Sequence, residues 1–144
     1  MFEIIHENET IDNWTELGCM MSIKGAKNVS MDTAMNNMYK SAKINASETK
    51  LTFIEKNENT EYPWIIFTLE TMSYNKKTGN DSHNGIILDE SLKNKKRVES
   101  QLYYIIQGKS DLYVNFWAVN KATIPADLKE KWVKFFKTGK VVNK

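Results

Sequence analysis

Residues 100–121, SQLYYIIQGKSDLYVNFWAVNK, constrain this chain more than any other stretch. Two runs of bulky β-forming residues flank Gly108-Lys109-Ser110-Asp111, and such runs around a turn cluster predict a β-hairpin. Over residues 125–137 the apolar period changes from two to about 3.6, which predicts an amphipathic helix. A hairpin followed by a helix that must bury one side implies an α+β fold. The chain of 144 residues suits one domain spanning 1–144 and can complete a core without disulfides or metals.

The hairpin's register stays open at this level. A loop with an odd number of residues would gather Leu102, Tyr104, Ile106, Leu112, Val114 and Phe116 on one wholly apolar face, with Tyr103, Ile105, Gln107, Tyr113, Asn115 and Trp117 opposite. That is the preferred register. A loop of two or four residues would mix the sets and place Gln107 and Asn115 among apolar neighbours. Aromatics fall on both faces either way, so both faces are expected to be at least partly covered.

Upstream, residues 2–6 predict an edge strand. Residues 13–23 predict a half-buried strand with Leu17, Cys19, Met21 and Ile23 on one face and Glu16 and Ser22 on the other. Ser30 is a good N-cap for a helix over residues 30–46, whose stripe of Met31, Ala34, Met35, Met38 and Ala42 fits a core face. Methionine there fills gaps between helix and sheet. Residues 50–56 and 62–72 predict an antiparallel pair. The run 64–67 is apolar on both faces and so marks a central strand. Residues 75–84 predict a long polar loop, residues 85–88 a short strand, and the charge run 94–97 the same irregular connection. The last helix is expected to start with Pro125 near its first position, to stop at Gly139, and to bury Leu128, Trp132, Phe135 and Phe136. The sum is one antiparallel sheet of about five or six strands with two main helices packed on it.

Chemistry is sparse. His6 and His83 are the only histidines and Cys19 the only cysteine, too few for a zinc site, which takes three or four close-spaced ligands. A thiol on the inward face of a strand is ordinarily a small hydrophobe, so no Cys/His nucleophile is expected. Carboxylates such as Glu16, Glu55, Glu70, Asp89, Glu90 and Glu99 are plentiful, but acid/base work needs two of them held facing each other. Asp81-Ser82-His83 has the letters of a catalytic triad at a spacing that cannot produce its geometry. No phosphate-cradling glycine pattern occurs, and no cofactor is expected. Lys93, Lys95, Lys96 and Arg97 form the one basic cluster. With 20 basic residues against 18 acidic ones, a net charge of +2, and Asp89, Glu90 and Glu99 flanking the cluster, nucleic acid is not the expected partner. No run approaches the roughly 20 apolar residues of a membrane span, and residues 1–9 lack the features of a signal peptide. A soluble chain follows, while a mature form behind a new Met1 would read the same.

Asn13-Trp14-Thr15-Glu16, with Glu99-Ser100-Gln101-Leu102-Tyr103, Gln107-Gly108-Lys109 and Leu112-Tyr113-Val114 far downstream, resembles a family of small uncharacterised bacterial envelope-type proteins. Their mature domains share an N-terminal WTE strand and a late hairpin, and their architecture is similar to the Mog/PsbP-like α+β fold. The resemblance covers most of the chain in element order through few matching letters. It implies a periplasmic or envelope location after removal of an export signal, and it carries over no catalytic residue. This chain departs from the family in having no such signal and no additional cysteines.

The resulting expectation is a non-enzymatic binding or accessory module acting through a protein partner or self-association. The alternative is a small-molecule binder or hydrolase with a pocket between helix and sheet. Trp14 and Glu16 are candidate recognition residues, although an edge-strand packing residue beside a solvated carboxylate is the plainer reading. Tyr103, Tyr113 and Trp117 are the remaining candidates. On the preferred register they form an aromatic patch rimmed by Gln107 and Asn115, suited to a protein interface.

Overall fold

The computed structural model describes residues 1–74 and 96–142. In chain order these form β1 (Phe2–Ile5), β2 (Glu16–Lys24), α1 (Met31–Asn45), β3 (Glu48–Asn57), β4 (Trp64–Tyr74), β5 (Lys96–Gln107), β6 (Asp111–Val119) and α2 (Ala126–Lys137). The strands make one six-stranded sheet in the order β1-β2-β6-β5-β4-β3, with every neighbouring pair antiparallel. The α+β expectation holds. Lys96 and Arg97, expected in an irregular connection, instead pair with Tyr74 and Ser73 as the start of β5. The loop and short strand expected over residues 75–88, with His83, Lys93 and Lys95, lie outside the described residues.

Each helix covers one face. Ser30 caps α1 by accepting from the Thr33 N–H at 3.1 Å, which satisfies one of the donors that a helix start leaves unpaired. The Met31 N–H is taken by Glu58 Oε1 at 3.2 Å. Met31 and Ala34 then pack with Ile65, Phe67, Leu69, Tyr103, Ile105, Leu112 and Val114, and Met35, Met38 and Ala42 extend the contact as expected. α2 crosses the opposite face obliquely. Trp132 stacks on Trp117 of β6 at 4.9 Å, Phe136 leans on Tyr104 of β5 at 5.7 Å, and Lys137 reaches Glu55 of β3 at 2.7 Å. Strand alternation lets β4 feed both cores, since Ile65 and Phe67 face α1 while Ile66 faces α2.

The β5–β6 register corrects the odd loop preferred from sequence. Leu102 opposes Trp117, Tyr104 opposes Asn115, Ile106 opposes Tyr113, and Gln107 opposes Leu112. The Gly108 N–H donates to the Asp111 carbonyl at 2.9 Å, leaving Lys109 and Ser110 as a two-residue tip. Two local features favour this even loop. A Cβ at Gly108 would lie 2.7 Å from the Tyr113 ring, so only glycine lets that ring fold over the turn. Gln107, which the odd register set among half-polar neighbours, is buried here with its amide answered at both ends. Its Oε1 accepts from the Val29 N–H at 3.0 Å, and its Nε2 donates to the carbonyls of Ala26 at 2.9 Å and Gly108 at 2.8 Å.

The turn between β2 and α1 is tied to the same hairpin. Gly25 adopts φ +75°, a conformation that costs glycine little, and its N–H meets Asp111 Oδ1 at 3.0 Å. This bond first, and the Lys24 ammonium at 3.1 Å second, hold the Asp111 carboxyl below its ordinary range.

Truncation of Gln107 to Ala would strand backbone groups of Val29 and Ala26, so the variant is expected to lose about 1–3 kcal/mol in chemical denaturation. A carboxylate depressed in the folded state adds stability that is present above its unfolded pKa and is lost as pH falls through the folded value. The acid side of the stability curve, below roughly pH 4, should therefore be shallower in Asp111→Asn than in the parent protein. Superimposable curves would show that the Gly25 contact does not tie the turn to the hairpin.

Candidate functional site

The faces set by the register show where cover is missing. Even-numbered residues of β2 share the α2 side with Trp117 and Asn115, since Gly18 opposes Trp117 and Met20 opposes Asn115. β1 adds Ile4, which is paired with Gly18. α2 leaves this side of the sheet open. The result is a groove of about 500 Å³, within the roughly 300–1,000 Å³ of ligand sites. Its floor is Tyr104, Ile106, Tyr113 and Asn115. Ile4, Gly18 and Met20 form the strand wall, and Trp132, Phe135 and Phe136 form the helix wall.

The chain beyond α2 closes one end. Thr138 caps the helix, its N–H and Oγ1 both donating to the Phe135 carbonyl at 3.1 and 2.6 Å, and the Gly139 N–H donates to the Phe136 carbonyl at 2.9 Å. Gly139 then passes so near the sheet that a Cβ there would stand 3.3 Å from Tyr104 Cε1. Lys140 and Val142 follow along the same end, and Val141 packs against the α2-side core. The rim is apolar and open: Ile4 is 55 % exposed, Met20 53 % and Phe135 61 %. Phe135 was expected in the core. The stripe through Leu128, Trp132 and Phe136 lies on the sheet, and the next position round the helix falls on the shoulder above the groove.

Polar groups in the groove are few. Asn115 Nδ2 donates to the Tyr104 carbonyl at 3.2 Å, while among the described residues its Oδ1 and the hydroxyls of Tyr104 and Tyr113 have no partner. Among the described residues no aspartate or glutamate lines the groove, and Lys140 is the one charged residue on its lining. Burial pushes the Tyr104 hydroxyl pKa up, which keeps it a neutral donor. Compared with known proteins, the chain matches no family model, no curated protein and no solved structure.

The residues singled out from sequence are dispersed. Tyr103 lies on the α1 face, buried, stacked on Phe67 at 4.9 Å, with its hydroxyl donating to Gln101 Oε1 at 2.8 Å. Burial, followed by Glu99, pushes its pKa strongly up. Trp117 is buried beneath Trp132 on the other face. The expected patch of Tyr103, Tyr113 and Trp117 therefore does not form, and only Tyr113 reaches the groove.

Trp14 and Glu16 serve the entry into β2. The Trp14 carbonyl accepts from Asn120 Nδ2, and Glu16 Oε2 meets His6 Nε2 at 3.0 Å in an exposed pair. Glu9 braces the same entry by accepting from the Thr15 Oγ1 at 2.5 Å and N–H at 2.9 Å, contacts that lower its pKa.

Gly18, Met20, Phe135 and Lys140 were missed. Two signals were available. The outer positions of β2 include Gly18 and Met20 between Glu16 and Ser22, so that face is not simply polar. Adjacent aromatics at 135 and 136 also span more of a helix circumference than one packing stripe.

Cys19 lies on the face opposite the groove side chains, since alternation separates it from Gly18 and Met20. Burial first, and the Glu3 carboxylate second, raise its thiol pKa, the reverse of an activated nucleophile. A thiol reagent should modify Cys19 slowly in the native protein and rapidly in denaturant. Equal rates would place the thiol at the surface.

Proposed function

We propose that this protein is a non-enzymatic binding module that takes an apolar ligand into the groove between α2 and the β1-β2-β6 side of the sheet. The observation that carries this reading is the combination of a ligand-sized volume and apolar walls from two strands and a helix, with no carboxylate among the described residues of the lining. Binding sites of this kind gain affinity from buried apolar area and orientation from a few polar groups, which Asn115 and the two tyrosine hydroxyls supply. A hydrolase would need a nucleophile beside a base, and the Cys19 side chain is on the other face of the sheet.

The Mog/PsbP-like assignment and an envelope setting form a second part of the proposal. The fold assignment draws on the six-stranded antiparallel sheet with a helix on each face, and the envelope setting rests on the resemblance at residues 13–16 and 99–114 alone.

Plugging the groove tests the reading. A Cβ at Gly18 would sit 3.8 Å from Ile4 Cβ, an ordinary contact, and the rest of a leucine would extend into the groove. Gly18→Leu should keep or raise the melting temperature, because glycine weakens a strand interior. Its affinity for the neutral apolar dye N-phenylnaphthylamine should fall by about tenfold or more, a change of roughly 1.4 kcal/mol. Equal dye binding by the two proteins, or no binding by either, would refute the groove as a ligand site.

A further inference from the structure

Resting on the groove reading above, we propose that the ligand is a single-chain amphiphile with an anionic head, of the class of long-chain carboxylates. Its chain lies between the Ile4–Met20 wall and the Phe135–Phe136 wall, and its head sits at Lys140.

The volume limits the tail. At about 500 Å³ the groove is in the lower half of the range of small-molecule sites, which suits one chain rather than the paired chains of a membrane lipid. Among the described residues the walls offer few hydrogen-bonding side chains, namely Asn115, the two tyrosine hydroxyls, the Trp132 indole N–H and the Thr138 hydroxyl already engaged by Phe135, so a sugar or peptide backbone would be left with unmet polar groups at a net cost.

Charge determines the head. Two lysines late in α2 are already paired, Lys134 with Glu130 at 3.2 Å and Lys137 with Glu55 at 2.7 Å. Among the described residues Lys140 has no ion pair and is the one charged residue on the groove lining. Its backbone is positioned by Gly139, which approaches the Tyr104 ring too closely for a larger residue to fit without displacement. Tyr104 brings a hydroxyl with no described partner to the same end, a donor that suits a carboxylate oxygen. A cationic head would find no acceptor carboxylate among the described residues of this lining.

One effect opposes an anion there. The C-terminal end of a helix carries about half a negative charge on its last carbonyls. In α2 the Phe135 carbonyl is taken up by Thr138 and that of Phe136 by Gly139. The full charge of Lys140 therefore outweighs what remains.

The test compares one chain with three heads. Dodecanoate, dodecanol and dodecyltrimethylammonium, each below its micelle threshold, would compete for N-phenylnaphthylamine on the full chain. Dodecanoate should bind more tightly than dodecanol by up to about fivefold, the upper end for a solvent-exposed charge pair, and the cationic compound most weakly. Lys140→Met should remove the preference for dodecanoate over dodecanol, whereas Lys140→Arg should retain it. Lys140 is exposed, so neither variant threatens folding.

Equal competition by all three heads would overturn the anionic head while leaving the groove reading intact, because dodecanol would still displace the dye. A preference that survives in Lys140→Met would overturn the place assigned to the head. Displacement by none of the three, with dye binding unaffected by Gly18→Leu, would remove the groove reading itself. Sedimentation with phosphatidylglycerol vesicles in the absence of any dodecanoate binding would overturn the proposal in favour of a membrane surface.

Discussion

The central hairpin's register rests on a buried amide and a glycine. Strand side chains alternate with a period of two, so a slip of one residue between β5 and β6 would exchange the residues that face α1 for those that face α2. Gln107 opposes that slip because its Oε1 and Nε2 are both engaged with the segment between β2 and α1. Moving it to the other face would abandon those bonds and leave backbone groups of Val29 and Ala26 without their partners. Gly108 opposes it as well, since the Tyr113 ring occupies the space that a side chain would need. With the register set, Trp117 must lie under Trp132, Tyr103 must lie against Phe67, and Tyr113 and Asn115 must face the open side of α2.

The two faces of the sheet are finished differently. α1 presents small and flexible side chains, Ala34 and several methionines, which pack onto the sheet. α2 presents rigid rings. Trp132 and Phe136 occupy the sheet over β6 and β5, and a helix that rests on such rings stands away from the strands beside it. Gly18 adds to the gap because β2 contributes no side chain at the point nearest to Trp117. The groove is thus a product of large residues on the helix and a missing one on the strand.

Much of this architecture was legible in the sequence. The edge strand at 2–6, the Ser30 cap, the methionine stripe of α1 and the doubly apolar run at 64–67 each follow from local pattern and capping chemistry, and each is present. Two readings failed for a shared reason. The odd hairpin loop was preferred because it segregates polar from apolar residues, yet Gln107 is satisfied by a carbonyl and an N–H about eighty residues earlier in the chain, partners no local pattern reveals. Phe135 was assigned to the core because it is apolar, although its position round the helix relative to Leu128, Trp132 and Phe136 directs it to the shoulder. The proposed aromatic patch inherited the register error. The groove was illegible for a different reason, since it depends on what β1, β2 and α2 leave uncovered, and that is a property of the assembled sheet.

An exposed apolar rim has a thermodynamic consequence. Ile4, Met20 and Phe135 each keep more than half of their surface in water, and complete burial of such a side chain contributes about 1.5–3 kcal/mol. Folding does not collect that contribution, so it remains available to whatever closes over the groove. Selectivity must then come from the few polar groups, because apolar contact is nearly indifferent to chemical detail beyond size. Lys140 and the Tyr104 hydroxyl stand at the end where the chain after α2 approaches the sheet, beside a low-dielectric wall that strengthens their interaction with an opposite charge relative to bulk water. The apolar walls set how tightly a chain of a given length is held, and the lysine end sets which head group that chain carries.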